Sequence, residues 1–402
     1  MWRPIGKSLL CVALLGASLL SAGCWNRREM NSLAIAVGMG IDKTGDQFTV
    51  SMQVVNPETL NPKTPADYSS IIEYREKQPT IFEALRKMTT SSPRKIYLSH
   101  LRILVISEEQ AKAGISEVLD FISRDHEARA DFDVVLARGT SASDLLNVFT
   151  QMDRIPSVKV FDMLKASEKA WASTKAIRLD ELLMHLESDS GESAVMTGIQ
   201  LYGNKDIAQT KENIQRIRLP GVLKVSGLAV LKEDRLVGWL NDKQSAAYNY
   251  LTNNVKNTVM HIPCPSGGKL TLEIVEAKSK LKPKAKDGEV SMSILQRIKA
   301  NVGEVACDVD LTDEQTIKEL EKEAERKLGS MLSKTISQVQ KKYGADIFGF
   351  GKLIHRKYPR IWEQMKDDWG TRFSALPVEI DVKAEIKNLG SVNNSFIKNM
   401  KE

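Results

Sequence analysis

The chain has 402 residues, of which 42% are hydrophobic and 27% charged, a composition that excludes a largely disordered protein. Its net charge of +6 is mild and its basic and acidic residues are mixed, which argues against a nucleic-acid-binding surface but allows weak attraction to anionic lipid headgroups. Because this length exceeds the size at which one hydrophobic core stops growing, we expect two or three domains.

The first residues have the pattern of a secretory signal peptide. Arg3 and Lys7 precede an apolar run over residues 9–20. This run is shorter than the roughly 20 residues needed to cross the hydrocarbon core, and the polar residues 26–29 follow it closely. We therefore predict a cleaved leader over residues 1–23 and no permanent transmembrane helix.

The leader ends in Leu20-Ser21-Ala22-Gly23-Cys24, which resembles the lipobox of bacterial lipoproteins, although Ser21 stands where leucine is most common. The resemblance implies cleavage after Gly23 and a diacylglyceryl group on the Cys24 thiol. Two or three acyl chains anchor a protein stably without a spanning helix. We therefore predict lipidation of Cys24 and anchoring to the outer face of a membrane. The alternative is an ordinary signal peptide with an incidental cysteine.

The mature chain begins with a predicted hairpin over residues 33–55, whose second strand alternates apolar and polar side chains. A loop with three prolines over residues 56–70 follows. Thr80 and Glu83 then have the spacing of a capping box that opens a short helix.

The next segments predict an α/β unit. Residues 101–106 and 132–137 are mostly apolar, as buried strands are, and residues 116–124 between them are helical in pattern. Residues 160–186 are predicted to be mostly helical.

The second half contains further strand patterns. Residues 223–231 and 235–240 predict a hairpin, and a short helix is expected after Asp242. Two long strands are predicted over residues 269–281 and 290–302. Turn-forming segments bound them at residues 263–268 and 282–288.

The clearest predicted helix begins at Thr312, with Gln315 three residues later, and ends near Gly344. Its apolar residues form one stripe and its polar face mixes Glu with Lys, whereas a helix lying on a membrane would be mainly basic. We therefore expect it to pack on a sheet of its own domain. The last strand, over residues 378–386, alternates as an antiparallel strand with one solvent-exposed face.

The four cysteines have different predicted fates. Cys11 leaves with the leader and Cys24 is lipidated, so Cys264 and Cys307 remain. Export permits a disulfide between them, and two partly buried free thiols are the alternative.

No pattern of catalytic or ligand-binding residues is complete. The segment from Gly344 to Gly349 has the glycine spacing of a phosphate loop, but Phe350 occupies the position of the required lysine. His261 and Cys264 are spaced like a metal-binding pair, but no second pair completes a zinc site. This favours a histidine in a loop, with its ring nitrogens hydrogen-bonded and not bound to a metal. We therefore predict no catalytic, cofactor-binding or metal-ligating residues.

The mature amino terminus, residues 24–29 with 33–42, resembles that of the Ger(x)C family, the C-subunit lipoproteins of spore nutrient-germinant receptors. Four later motifs resemble the same family in the same order. They are residues 100–107, residues 227–230 with 236–240, residues 344–351, and Tyr358-Pro359 with Trp362. In these motifs, tight turns or close packing explain Gly349 and Gly351 as well as a binding surface does. Trp362 is likewise explained as a core residue.

The resemblance implies an α+β fold of three domains, each a largely antiparallel or mixed sheet flanked by helices. We place an N-terminal domain at residues 24–190, a middle domain at 191–265, and a C-terminal domain with the long amphipathic helix at 266–402. The implied protein is not an enzyme. It lies on the outer face of the spore's inner membrane and acts with two integral membrane subunits, A and B, in nutrient-triggered germination.

Two other classes of protein fit parts of the sequence. A solute-binding lipoprotein that feeds a transporter should have two α/β lobes of similar size, whereas long antiparallel-type strands dominate the later half here. An anchored envelope enzyme is disfavoured because no nucleophile or metal constellation is found, although scattered residues can meet in space.

Overall fold

The predicted amino-terminal hairpin is confirmed, because β1 (Leu33–Thr44) pairs antiparallel with β2 (Gln47–Val55). Gly45 makes the turn with a φ of +65°. The computed structural model describes residues 32–60, 69–265 and 267–388. The predicted leader, Cys24 and part of the predicted loop over residues 56–70 lie outside these residues.

The remaining strands are β3 (Ile71–Gln78), β4 (Lys95–Tyr97), β5 (Ile103–Ser107), β6 (Asp133–Ala137), β7 (Val195–Gly203), β8 (Gly221–Lys232), β9 (Arg235–Trp239), β10 (Thr258–Pro263), β11 (Lys269–Lys286), β12 (Glu289–Ala306) and β13 (Val378–Asn388). The α-helices are α1 (Ile81–Lys87), α2 (Glu108–Ala113), α3 (Ser116–Arg124), α4 (Ala142–Leu146), α5 (Pro156–Ala170), α6 (Leu179–Leu186), α7 (Lys205–Ala208), α8 (Asp242–Leu251), α9 (Glu314–Tyr343), α10 (Phe350–Lys357), α11 (Pro359–Glu363) and α12 (Trp369–Ala375).

Within the described residues, nine strands form a large sheet in the order β3-β2-β1-β5-β6-β7-β8-β9, and β4 pairs with the start of β1. The central strands β1, β5, β6 and β7 are parallel, whereas the pairs on both sides are antiparallel. Every residue of β5 and β6 is buried, as their mostly apolar sequences predict. The predicted helix α3 and the hairpin of β8 and β9 are also confirmed.

The small sheet has the order β10-β11-β12-β13. The predicted loop over residues 282–288 is wrong, because β11 and β12 continue until only Asp287 and Gly288 remain between them. Both residues have positive φ, as a two-residue hairpin turn requires. Pro283 is tolerated within β11 because β10 pairs with β11 only from Lys269 to Ile274, so this stretch has an open edge.

The direction of the last strand also differs from the prediction, because β13 pairs with β12 in parallel. The alternation of exposed and covered side chains in β13 is as expected, but this pattern is shared by half-exposed strands of either direction. The helices between β12 and β13 return the chain to the same end of the sheet, as a parallel connection requires.

The long helix α9 packs against β13 and β10 through its apolar stripe, as predicted. The helix begins at Glu314, two residues later than expected, because Asp313 is the cap and accepts a hydrogen bond from the backbone N–H of Thr316 at 2.8 Å. On the side that faces the sheet, two carboxylates of α9 accept hydrogen bonds from backbone N–H groups of β13. Glu325 accepts from Ala384 at 3.1 Å, and Glu321 accepts from Ile386 at 2.9 Å.

The two sheets are joined by α8, which contacts β8, β11 and α9. One hydrophobic core covers a face of β7 and β8 together with the small sheet and its helices, and two further cores cover the rest of the large sheet. The architecture is therefore α+β, with mixed sheets flanked by helices. The segment 191–265 gives β7, β8 and β9 to the large sheet and β10 to the small one. The division into three domains at residues 190 and 265 stays a prediction.

Candidate functional site

Cys24, the site predicted from the sequence, lies outside the described residues, so its lipidation stays a prediction. No helix in the described part of the chain is both long enough and apolar enough to span a membrane.

The predicted weakness of the His261 and Cys264 pair as a metal site has a structural reason. Cys264 forms a disulfide with Cys307, with the two Cα atoms 6.4 Å apart, so its sulfur is not free to bind a metal. His261 is exposed and lies within strand β10, not in a loop as expected. Among residues 32–60, 69–265 and 267–388, no group of three His, Cys, Asp or Glu side chains could hold a metal ion.

The segment between α9 and α10 is built around the carboxylate of Asp346, which is 1% exposed. This carboxylate accepts hydrogen bonds of 2.7–3.2 Å from the backbone N–H groups of Phe348, Phe350 and Gly351. Nε1 of Trp369 donates a further bond at 3.2 Å. Burial raises the pKa of Asp346 to about 6, against the effect of these donors. Because the N–H groups at the start of α10 are already used, the segment is not a phosphate loop.

The glycines of this segment have structural roles. Gly349 has a φ of +70°, a conformation in which glycine is favoured. A Cβ atom on Gly351 would lie 2.3 Å from the carbonyl oxygen of Ser190 and 2.9 Å from the ring of Trp362. Trp362 is 1% exposed and is therefore a core residue, as expected.

An ionic cluster connects α6 to the start of α10. Glu181 lies 2.7 Å from Nζ of Lys175 and 3.9 Å from Nε2 of His185. Glu192 lies 3.4 Å from Nδ1 of His185 and 3.3 Å from Nζ of Lys352. Hydrogen bonding to Glu181 and Glu192 raises the pKa of His185 to about 9, and His185 with Lys175 lowers that of Glu181 to about 2. The cluster is therefore charged at neutral pH.

A cleft of about 620 Å³ lies between α8, α9, β10 and the segment that follows α5, where the two sheets meet. We call it the lysine cleft. Three lysines, Lys243, Lys327 and Lys334, line the cleft together with His261. Its large apolar and aromatic lining residues are Trp171, Tyr250, Val259, Met260, Leu328 and Met331. Trp171 and Val259 are about half exposed, at 46% and 51%.

The positive charge of the lysine cleft is poorly compensated. Lys243, Lys327 and Lys334 form no ion pair within the described residues, and Asp242 is the carboxylate that lines the cleft beside them. The neighbouring Glu323 is paired with Arg326 at 2.5 Å. Burial, followed by the charge of Lys243, lowers the pKa of Lys327, and Lys327 in turn lowers the pKa of His261. The lowering of the His261 pKa by nearby lysine charge indicates a positive electrostatic potential in this part of the cleft.

The floor of the cleft contains the side chain of Tyr250. Tyr250 is 3% exposed and lines the cleft, and burial raises the pKa of its hydroxyl above the ordinary value. This side chain presents a phenolic hydroxyl, a group that can both donate and accept a hydrogen bond, to the cleft.

Sequence reasoning missed the lysine cleft because its residues come from four separate segments. One signal was available, since Lys327 and Lys334 are seven residues apart and thus share a face of α9. Nothing in the sequence placed that face beside α8 and β10.

Comparison with known proteins gives a match along most of the chain. The family described as "Spore germination protein N-terminal domain" matches residues 26–201, and "Spore germination B3/GerAC like, C-terminal" matches residues 226–390. Spore germination protein KC of Bacillus subtilis (strain 168) is 30% identical over 97% of this chain and 98% of its own length. Spore germination protein B3 of the same organism is 24% identical over 93% and 96%.

The fold also has a counterpart among solved structures. The crystal structure of the GerBC protein superposes with a TM-score of 0.54 and 19% sequence identity, and the match covers 87% of this chain and 97% of that one. At this level of identity, the likeness shows a shared fold.

Proposed function

The chain belongs to the family of spore germination proteins of the B3/GerAC type, and from this premise we propose that it is the lipid-anchored C subunit of a nutrient-germinant receptor. In this role it acts on the outer face of the spore's inner membrane, beside two integral membrane subunits, A and B. It contributes to nutrient-triggered germination by binding its partners and not by catalysis.

The observation that carries the proposal is the extent of the family match. Both family regions are present in order, and the similarity to spore germination protein KC covers nearly the full length of both chains. The proposed role therefore concerns the whole chain.

The lipid anchor gives the binding role a physical basis. A diacylglyceryl group on Cys24 would hold the described part of the chain, whose first strand is β1, close to the membrane surface. Confinement to that surface raises the effective concentration of the subunit near its membrane partners, so that individually weak contacts suffice.

The unequal sheets support this proposal over a solute-binding lipoprotein. Such a protein would close two lobes of similar size on a central cleft, whereas the described strands are divided into sheets of nine and four. The ionic cluster and α8 also connect the two parts by direct packing, whereas closure of two lobes on a ligand requires parts that move relative to each other.

Mass spectrometry of the mature amino terminus tests the anchor. We expect a diacylglyceryl-modified Cys24 in the wild type and an unmodified, uncleaved chain in Cys24→Ala. The matched control is Cys11→Ala, which removes the other leader cysteine and should leave the modification intact. An unmodified Cys24 in the wild type would contradict the lipoprotein assignment.

Deletion of the gene tests the receptor role. We expect loss of the germination response to the nutrients served by this receptor, with a normal response to a trigger that bypasses receptors. Restoration by the wild-type gene but not by Cys24→Ala would connect the response to anchoring. A deletion strain that responds normally to every nutrient would contradict the proposal.

A further inference from the structure

The lysine cleft has the size and lining of a ligand site. Its volume of about 620 Å³ falls within the range of about 300–1,000 Å³ that is typical of small-molecule sites. Such sites combine an apolar surface with a few polar groups that fix the orientation of the ligand. Here Met260 and Met331 supply part of the apolar surface, and the lysines and Tyr250 supply the polar groups.

The positive charge of the lysine cleft favours an anionic ligand. Three lysines without carboxylate partners in the described residues face the same space, and Lys327 is already partly desolvated. Bringing an anion among them would replace mutual repulsion with charge-assisted hydrogen bonds. A cationic ligand would meet repulsion, and a purely apolar one would form no hydrogen bond with the lysines or with Tyr250.

We propose that the lysine cleft binds an organic anion, whose carboxylate or phosphate oxygens lie among Lys243, Lys327 and Lys334 and whose apolar body packs on Met260 and Met331. The hydroxyl of Tyr250 donates a hydrogen bond to the ligand. Trp171 covers its exposed side. A free organic anion and a phospholipid headgroup share this chemistry, so the two sources have to be separated by experiment.

Isothermal titration of the purified full-length protein with phenyl phosphate tests the proposal. We expect saturable one-to-one binding, with much weaker binding of inorganic phosphate, which lacks the apolar body, and of benzyl alcohol, which lacks the charge. Dihexanoyl phosphatidylglycerol, used below its micelle concentration, should displace phenyl phosphate if a lipid headgroup is the natural ligand. If it does not, while phenyl phosphate binds, the ligand is a soluble anion.

Variants connect binding to the cleft. The pair Lys243→Met and Lys334→Met keeps the side-chain length and removes two charges, and should raise the dissociation constant by about tenfold or more. Tyr250→Phe removes one hydroxyl oxygen and should raise it by about fivefold. The control is Lys322→Met, which removes an exposed lysine of α9 outside the cleft and should have no effect.

Two results would overturn the proposal. One is the absence of saturable binding of both phenyl phosphate and the phosphatidylglycerol. The other is binding that the lysine pair and Tyr250→Phe leave unchanged while their melting temperatures match that of the wild type.

Discussion

Nδ1 of His185 in α6 lies 3.4 Å from a carboxylate oxygen of Glu192, and the same carboxylate pairs with Lys352 at the start of α10. A helix that packs on the large sheet is thereby connected to the helices of the small one. Hydrogen bonding to Glu181, and then to Glu192, raises the pKa of this histidine.

The raised pKa of His185 predicts a pH dependence of stability. Because the folded-state pKa is about 9 and the ordinary value is 6.5, the contribution of protonated His185 is fully present below pH 6.5 and is lost as the pH rises through about 9. His185→Gln should therefore reduce the free energy of unfolding by about 2 kcal/mol near pH 6, and by much less near pH 10.

Melting temperatures of the wild type and His185→Gln at both pH values measure this difference. His126→Gln is the control, because the side chain of His126 is 85% exposed. An equal effect of His185→Gln at the two pH values would contradict the prediction.

Asp346→Asn should destabilise the junction between α9 and α10. In the wild type, four N–H donors point at the carboxylate of Asp346. An asparagine there has one oxygen acceptor, and its amide group adds two N–H donors that face these donors. We expect a loss of about 3 kcal/mol in the free energy of unfolding. Asp367→Asn, in the same region but exposed, is the matched control in thermal melts. Equal melting temperatures of the two variants would refute this role for Asp346.

The disulfide between Cys264 and Cys307 should stabilise the small sheet. It closes a loop with a sequence separation of 43, for which the loss of chain entropy in the unfolded state corresponds to about 4 kcal/mol. The double variant Cys264→Ser and Cys307→Ser should melt at a lower temperature than the wild type. A reductant should lower the melting temperature of the wild type but not that of the variant. Detection of both cysteines as free thiols in unreduced protein would contradict the bond.

The sequence predicts the fully buried strands β5 and β6, but it misses β7, another central strand of the large sheet, and the edge strand β3. The strands β5 and β6 are buried on both faces, so their sequences are mostly apolar, with one polar residue at an end of each. Strand β3, in contrast, is an edge strand with alternating exposed and half-buried residues, many of them charged, and it was not predicted. The direction of β13 could not be read from its alternation, because side chains alternate in the same way in parallel and antiparallel strands.

The candidate site was less accessible to sequence reasoning. The absence of a phosphate loop followed from one residue, Phe350, and the structure adds the reason that Asp346 already occupies the donors. The lysine cleft depends on how α8, α9 and β10 pack together, which is a tertiary relationship. Similarly, the distance between Cys264 and Cys307 is set by the pairing of β11 with β10 and β12, so the sequence left the disulfide open.

The contacts of Glu321 and Glu325 with β13 limit how this protein can join an assembly. An edge strand with free N–H groups is a template on which another chain can add a strand. Here the N–H groups of Ala384 and Ile386 are already bonded to carboxylates of α9. A partner that approaches this stretch of β13 would have to displace those carboxylates before it could extend the sheet, so docking there through side chains is favoured over strand addition.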